Sequence, residues 1–387
     1  MLNKPRLLTP GPTALPESVR LAMAVDMIHH RKPAFKQVMA EIQVKLRHLF
    51  GTEQPVLPLS SSGTGAMTAA LCNLFQPGEK VLILEGGNFG RRWAEIAHSR
   101  GLKTVVESIT PGQAADPERL AALLKLHPEL RGVCVQLCET STGVQHPVRE
   151  LAAITSIGDA LLLVDGISGV GISPCPMDQW GIDCLLTGSQ KGLMLPPGLS
   201  FVAFSARAWG KAAKVDSGNF YFDLGKEKEQ VLRQQTCFTP PVSLLLGLNQ
   251  SLDLFFSAGL EEIYRKQWAL CSMAHRGVRA IGLKPFAPEA PAWGVTAVRL
   301  PEGLKSSALL AEIFRNYNLV LAAGQGEFKE NLIRIGHMGW VDWADLAAAL
   351  HALQRSCRAL GGPSGAPDYL EQALAEYWLA MEQGYPS

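Results

Sequence analysis

The sequence predicts an α/β fold: a large domain with a mostly parallel seven-stranded sheet between helices, then a smaller C-terminal α/β domain. Two observations carry this. Near-continuous apolar runs at 81–84, 104–106, 132–137, 161–164, 184–186 and 199–204 follow a first run that opens at Val56. Stretches of helical spacing, at 65–75, 91–99, 117–127 and 148–157, separate several of them. Strands apolar on both faces that alternate with helices indicate a parallel sheet covered on both sides. The 387 residues suffice for two domains with their own cores.

Taken in order, residues 1–16 read as an extended arm. Pro10 and Pro12 each lack an N–H and bar the residue before them from a helix. A short helix is expected over 17–25, then a polar break at His29, His30, Arg31 and Lys32. Phe35, Val38, Met39, Ile42, Leu46 and Leu49 recur at helical spacing, so 33–50 forms an amphipathic helix with Pro33 at its start. After the sheet, 205–240 reads as mixed and loop-rich, and helices are expected over 240–257 and 260–281. The second unit has a strand near 295–300, a helix over 305–317, short strands near 319–321 and 332–335, and a helix over 343–360. A Gly/Pro/Ser linker at 361–365 leads to a last helix over 368–381. The expected division is an arm at 1–16, a large domain at 17–255 and a small domain at 256–387.

Composition narrows the function. A net charge of +1 with 18% charged residues gives no reason to expect nucleic acid or an anionic membrane. No apolar run approaches the roughly 18 residues of a membrane span, and the basic start lacks the apolar stretch of a secretory signal. The eight cysteines are scattered without a CxxC pair. Free thiols in a reducing cytoplasm, with no metal, are the expectation.

Ligands of such sheets gather at the C-terminal ends of strands, so chemistry is sought just after each run. Lys191, in Gly188-Ser189-Gln190-Lys191, lies between the runs 184–186 and 199–204. A lysine there is costly unless it is paired, neutral or covalently used. Its amine makes Schiff bases with carbonyl cofactors. The chemical reading is that Lys191 carries pyridoxal 5'-phosphate (PLP); the plain reading is a surface lysine in a Gly-rich turn. Asp165 closes the run 161–164 and points into the ligand crevice, where an acid would pair with a pyridinium nitrogen; the plain reading is a turn cap before Gly166. Ser60-Ser61-Ser62-Gly63-Thr64-Gly65 precedes a helix and reads as an anion site, as a loop with an N-cap, or as a partial dinucleotide fingerprint whose third glycine is replaced by Thr68. Phe89, between Asn88 and Gly90, is a candidate for stacking on a planar ring or for the core. The hydroxyls of Glu139-Thr140-Ser141-Thr142-Gly143 face a cofactor or close an ordinary turn. Arg334, inside the apolar strand Ile333-Arg334-Ile335, suits a substrate carboxylate or a structural ion pair.

These segments, in this order, resemble the class V aminotransferases of PLP fold type I. The nearest look is to the alanine–glyoxylate and serine–glyoxylate (serine–pyruvate) group, which includes bacterial aspartate-type enzymes and proteins labelled as small subunits of a soluble hydrogenase. The likeness runs from Leu7-Leu8-Thr9-Pro10-Gly11-Pro12 to about residue 355, through Glu139-Thr140-Ser141-Thr142-Gly143, Val164-Asp165, Gly188-Ser189-Gln190-Lys191 with Pro196-Pro197-Gly198, Thr236-Cys237-Phe238-Thr239-Pro240-Pro241 and Arg334-Ile335-Gly336. It implies Lys191 as the Schiff-base lysine and proton shuttle, Asp165 as the pyridinium partner, and Ser62, Gly63, Thr64 and Gln190 as phosphate ligands. It puts Thr140 at the ring oxygen and Arg334 at the substrate α-carboxylate. It also implies Thr236 and Thr239 as phosphate contacts from a second subunit, hence a homodimer. Phe89 stands where some relatives carry Trp, Thr64 where some carry His, and Thr236 where some carry Tyr.

The implied reaction is ping-pong transamination between a small amino acid, alanine or serine, and glyoxylate or pyruvate. Aspartate is the close alternative, because His29, His30, Arg31, Arg91 or Arg92 would supply the second cation it needs. Cysteine desulfuration needs a loop cysteine, and the late segment offers only Cys271 and Cys357, both in helical stretches. A non-catalytic redox subunit would need cluster-type cysteine spacing, which is absent. An NAD dehydrogenase would leave Lys191, Asp165 and Arg334 without roles.

Overall fold

The computed structural model describes residues 3–386. Its large sheet has seven strands: β1 (Val56–Leu59), β2 (Lys80–Glu85), β3 (Lys103–Ser108), β4 (Leu130–Gln136), β5 (Leu161–Asp165), β6 (Cys184–Gly188) and β7 (Ser200–Phe204). Their spatial order is β1-β7-β6-β5-β4-β2-β3. All neighbours run parallel except β7, which is antiparallel to both β6 and β1. The mostly parallel seven-stranded expectation holds.

Each face of the sheet carries its own core. On one side, Cys134 of β4, Leu163 of β5 and Leu186 of β6 pack with Ala66, Leu71, Trp93 and Ala97 from the helices Gly63–Leu74 and Asn88–Ser99. On the other, Val133, Leu162 and Leu185 pack with Phe35, Met39 and Ile42 of the helix Pro33–Phe50 and with Leu245, Leu248 and Leu252 of Val242–Ala258. Alternate residues of a strand face opposite ways. Gln136 and Asp165 therefore continue the face that meets the Gly63 and Asn88 helices.

A four-stranded antiparallel sheet follows: β8 (Lys284–Pro285), β9 (Val295–Arg299), β10 (Ala322–Ala323) and β11 (Leu332–Gly336), in the order β8-β9-β11-β10. Its core joins Val298, Ile333 and Ile335 to the helices Leu260–Ala280, Trp343–Ala359 and Tyr369–Gln383.

Three expectations are corrected. Residues 205–240 hold two helices, Ala206–Ala212 and Leu224–Leu232, started by side-chain caps from Ser205 and Asp223. The run at 319–321 joins no strand of the small sheet: Leu319 and Val320 pair in parallel with Arg6 and Leu7, and Leu8 is buried in the small-sheet core. The extended arm is thus tied into the fold by this pairing. The strand expected to end at Leu137 ends at Gln136, and Cys138–Glu139 forms a separate two-residue ladder with Val144–Gln145. Among the described residues no helix is long and apolar enough to cross a membrane.

Candidate active site

The C-terminal edge of the large sheet collects the candidate residues. Asp165 ends β5, in register with Gln136 of β4 and Leu186 of β6. It is buried, and among the described residues the one hydrogen bond to its carboxylate comes from the Ile167 N–H, at 2.9 Å. Burial pushes its carboxyl up to about 7; the Glu139 carboxylate adds to this, while the Ile167 N–H and the cations of Lys191 and Arg92 oppose it.

Lys191 lies just beyond β6 and is buried, with Nζ donating to the Pro10 carbonyl. The loop that presents it is fixed on both sides. Ser189 Oγ donates to the Pro196 carbonyl at 2.7 Å and accepts from the Leu199 N–H at 3.2 Å. Thr13 Oγ1 donates to the Lys191 carbonyl, and the Thr13 N–H to that of Gln190. Gly11, at φ +101°, passes so close that a Cβ there would lie 2.5 Å from Lys191 Cδ. Burial lowers the amine to about 8; Arg334 and Arg92 lower it further, and Cys138 and Asp165 act the other way.

Two helices begin at this edge on the Asp165 face. The first, Gly63–Leu74, has Ser62 at its N-cap with no side-chain capping bond, so its leading N–H groups stay open to an anion. A Cβ on Gly63 would lie 2.2 Å from Ile167 Cδ1, so the helix start packs closely against the turn that follows Asp165. Thr64 Oγ1 accepts from Arg92 Nη1 at 3.3 Å. The second helix, Asn88–Ser99, carries half-buried Phe89 in its first turn. Its N-terminus is closed by Glu139, whose Oε2 accepts from the N–H groups of Phe89 and Gly90 at 3.1 and 3.0 Å. Oε1 of the same carboxylate accepts from the Ser141 N–H at 3.1 Å and from Ser141 Oγ at 2.5 Å.

Thr140 Oγ1 donates to Ser168 Oγ at 2.7 Å. Arg334, on β11, reaches across from the small sheet: Nη1 donates to the Thr140 carbonyl at 3.2 Å and Nε to that of Ala323 at 2.9 Å. Among the described residues it has no carboxylate within ion-pair distance. Burial lowers its pKa, and Glu139 partly restores it. Gln190 has a buried Oε1 without a partner, and so does Gln136, whose whole amide is unpaired.

Other candidates make no hydrogen bond to these groups among the described residues. Thr236 Oγ1 donates to the Phe238 carbonyl at 2.7 Å, and Thr239 is exposed; neither makes a hydrogen bond to Lys191, Asp165 or Gln190. Arg31 makes three hydrogen bonds, with Nη1 on Gln235 Oε1 and the Thr236 carbonyl and Nη2 on the Cys237 carbonyl. His29 and His30 stack on each other, ring centroids 4.7 Å apart. Arg91 faces solvent and pairs with Glu85 at 3.3 Å. Sequence reasoning missed two participants, Glu139 as a helix cap and Arg92 at Thr64. The available signal was a helix start at Gly87-Asn88-Phe89-Gly90 with a glycine at the N-cap, opposite a carboxylate that directly follows a strand.

The aminotransferase class-V family matches residues 16–327. The chain belongs to the class V aminotransferases. It is similar to a serine–glyoxylate aminotransferase of Methylorubrum extorquens, 36% identical over 364 residues, 90% of each chain. It is equally similar to a protein named soluble hydrogenase, small subunit, of a Synechococcus species, 36% identical over 367 residues, 93% of this chain and 95% of that one. Among solved structures, pyridoxamine–pyruvate aminotransferase of Mesorhizobium loti superposes with a TM-score of 0.93 at 28% identity, over 97% of this chain and 98% of that one. Class V membership implies PLP as the cofactor. The class V site here fits that group: a buried amine, a buried carboxylate with one donor, an uncapped helix N-terminus, an unpaired glutamine oxygen and a guanidinium with no carboxylate.

Proposed function

We propose that this aminotransferase moves an amino group between a small monocarboxylic amino acid, alanine or serine, and glyoxylate or pyruvate. PLP, when bound, supplies an electron sink and carries the amino group between the two half-reactions. In this reading Lys191 holds the cofactor through its amine and then moves a proton at the substrate α-carbon, work that a lysine lowered to about 8 can do near neutral pH. Asp165 faces the ring nitrogen, where a cationic N–H would supply the partner its carboxylate lacks. Ser62, Gly63, Thr64 and Gln190 hold the phosphate, Thr140 the ring oxygen, and Phe89 one ring face. Arg334 binds the substrate carboxylate in a two-pronged contact. Thr236 and Thr239 serve the site of a second copy in a homodimer. A large domain at 17–255 and a small one at 256–387 would then meet at the site, and the cytoplasm is its compartment.

The observation that carries the assignment is the joint placement of Lys191, Asp165 and Arg334, three buried ionisable groups with few partners around one spot. The preference for one carboxylate rests on Arg334, a buried guanidinium that no carboxylate among the described residues engages, while Arg92, the other arginine acting on Lys191, is turned to Thr64 and the Phe89 ring. Arg31 is spent on three carbonyl-type acceptors and Arg91 on Glu85. The test is a half-reaction panel: the PLP form is mixed with alanine, serine, aspartate, glutamate and phosphoserine, and loss of its absorbance is followed. Alanine or serine should react fastest. Aspartate outpacing both would overturn the substrate assignment, and protein that takes up no PLP would favour a non-catalytic subunit.

A further inference from the structure

Arg92 is engaged with two candidate cofactor ligands at once. It lies three residues beyond Phe89, a spacing that sets both side chains on one side of the helix. Its guanidinium carbon sits 4.9 Å from the Phe89 ring centroid. Its Nη1 donates to Thr64 Oγ1 at 3.3 Å, on the neighbouring helix. That is the one hydrogen bond Thr64 Oγ1 makes among the described residues. Arg91, next in the chain, turns outward to Glu85 instead. We propose that Arg92 is a positioning residue that locks Phe89 and Thr64, one from each helix start, into a single cofactor-facing wall. The inference rests on reading this edge as the PLP site.

A planar cation on one face of Phe89 holds the ring in one orientation and leaves the opposite face for a flat ligand. The same guanidinium fixes the Thr64 hydroxyl, so the ring wall and the phosphate end are set by one side chain. Arg92 further contributes a positive charge to the site. The other charged or titratable groups facing Lys191 and Asp165 are Cys138 and Glu139 after β4 and Arg334 on β11. Removing a cation from this set makes protonation of the lysine nitrogen easier.

The test uses the full chain and two variants, Arg92→Met and Arg92→Lys. PLP affinity is read by titrating the apoprotein, and the pH midpoint of the bound cofactor's absorbance is read separately. R92M should weaken PLP binding by about tenfold and move the midpoint to higher pH. R92K should restore the midpoint while recovering only part of the affinity, since an ammonium keeps the charge but not the planar contact. R92M with an unchanged midpoint, whatever its affinity, would overturn the inference, as would R92K matching wild type in both. Wild-type protein that binds no PLP would instead remove the reading of the site itself.

Discussion

Two helices begin side by side on one face of the large sheet, and their N-termini differ. The Asn88 helix has its leading N–H groups closed by the Glu139 carboxylate, which also takes two hydrogen bonds from Ser141. The Gly63 helix starts without a side-chain cap. The nearby carboxylates follow suit: Glu139 accepts four hydrogen bonds and Asp165 one. Both are buried. A buried polar group left short of partners costs stability, so a protein keeps several together only where a ligand completes them. The Glu139 carboxylate is satisfied within the fold, whereas the Asp165 carboxylate keeps the open acceptor capacity that the proposed cofactor role calls for.

That contrast can be broken most forcefully at Asp165. Asp165→Asn should cut turnover by at least about a hundredfold yet raise the stability of the apoprotein near pH 8. Burial on folding lifts the carboxyl from its ordinary 3.8 to about 7. Its burial penalty is absent below the lower value, grows as pH rises between the two, and is complete above the upper one. Melts of apoprotein at pH 8 and pH 4 should show the gain from Asn at the first and little at the second. Glu139→Ala should act in the opposite direction, losing about 3 kcal/mol of stability with or without PLP, measured by urea unfolding; an unchanged midpoint would put Glu139 outside the structural role. Smallest is Ser62→Ala. Its side chain caps nothing in the apoprotein, so stability should stay within about 0.5 kcal/mol while PLP affinity falls about tenfold, read by cofactor titration.

The parts of this arrangement that could be read in the sequence are those where a charge interrupts an apolar run. Lys191, Asp165 and Arg334 stand out in that way, and the strands themselves are apolar on both faces. The helix Pro33–Phe50 was legible to the residue because Pro33 opens it and the apolar stripe persists. The helices Ala206–Ala212 and Leu224–Leu232 were not, since both are short and bury few apolar residues; their caps, Ser205 and Asp223, were the only local signal. The pairing of Arg6 and Leu7 with Leu319 and Val320 joins two-residue segments more than 300 positions apart, too short to carry a period. Glu139 and Arg92 gain their meaning from a neighbouring helix start, which one-dimensional spacing does not display.

The central claim is that Lys191 is the residue that holds PLP. Incubating the protein with PLP, fixing the link with borohydride and sequencing the labelled peptide tests it directly. The account predicts label on Lys191 alone, with Lys191→Ala unlabelled and its turnover lost. Label on another lysine, or transamination by Lys191→Ala at the wild-type rate without added amine, would contradict it.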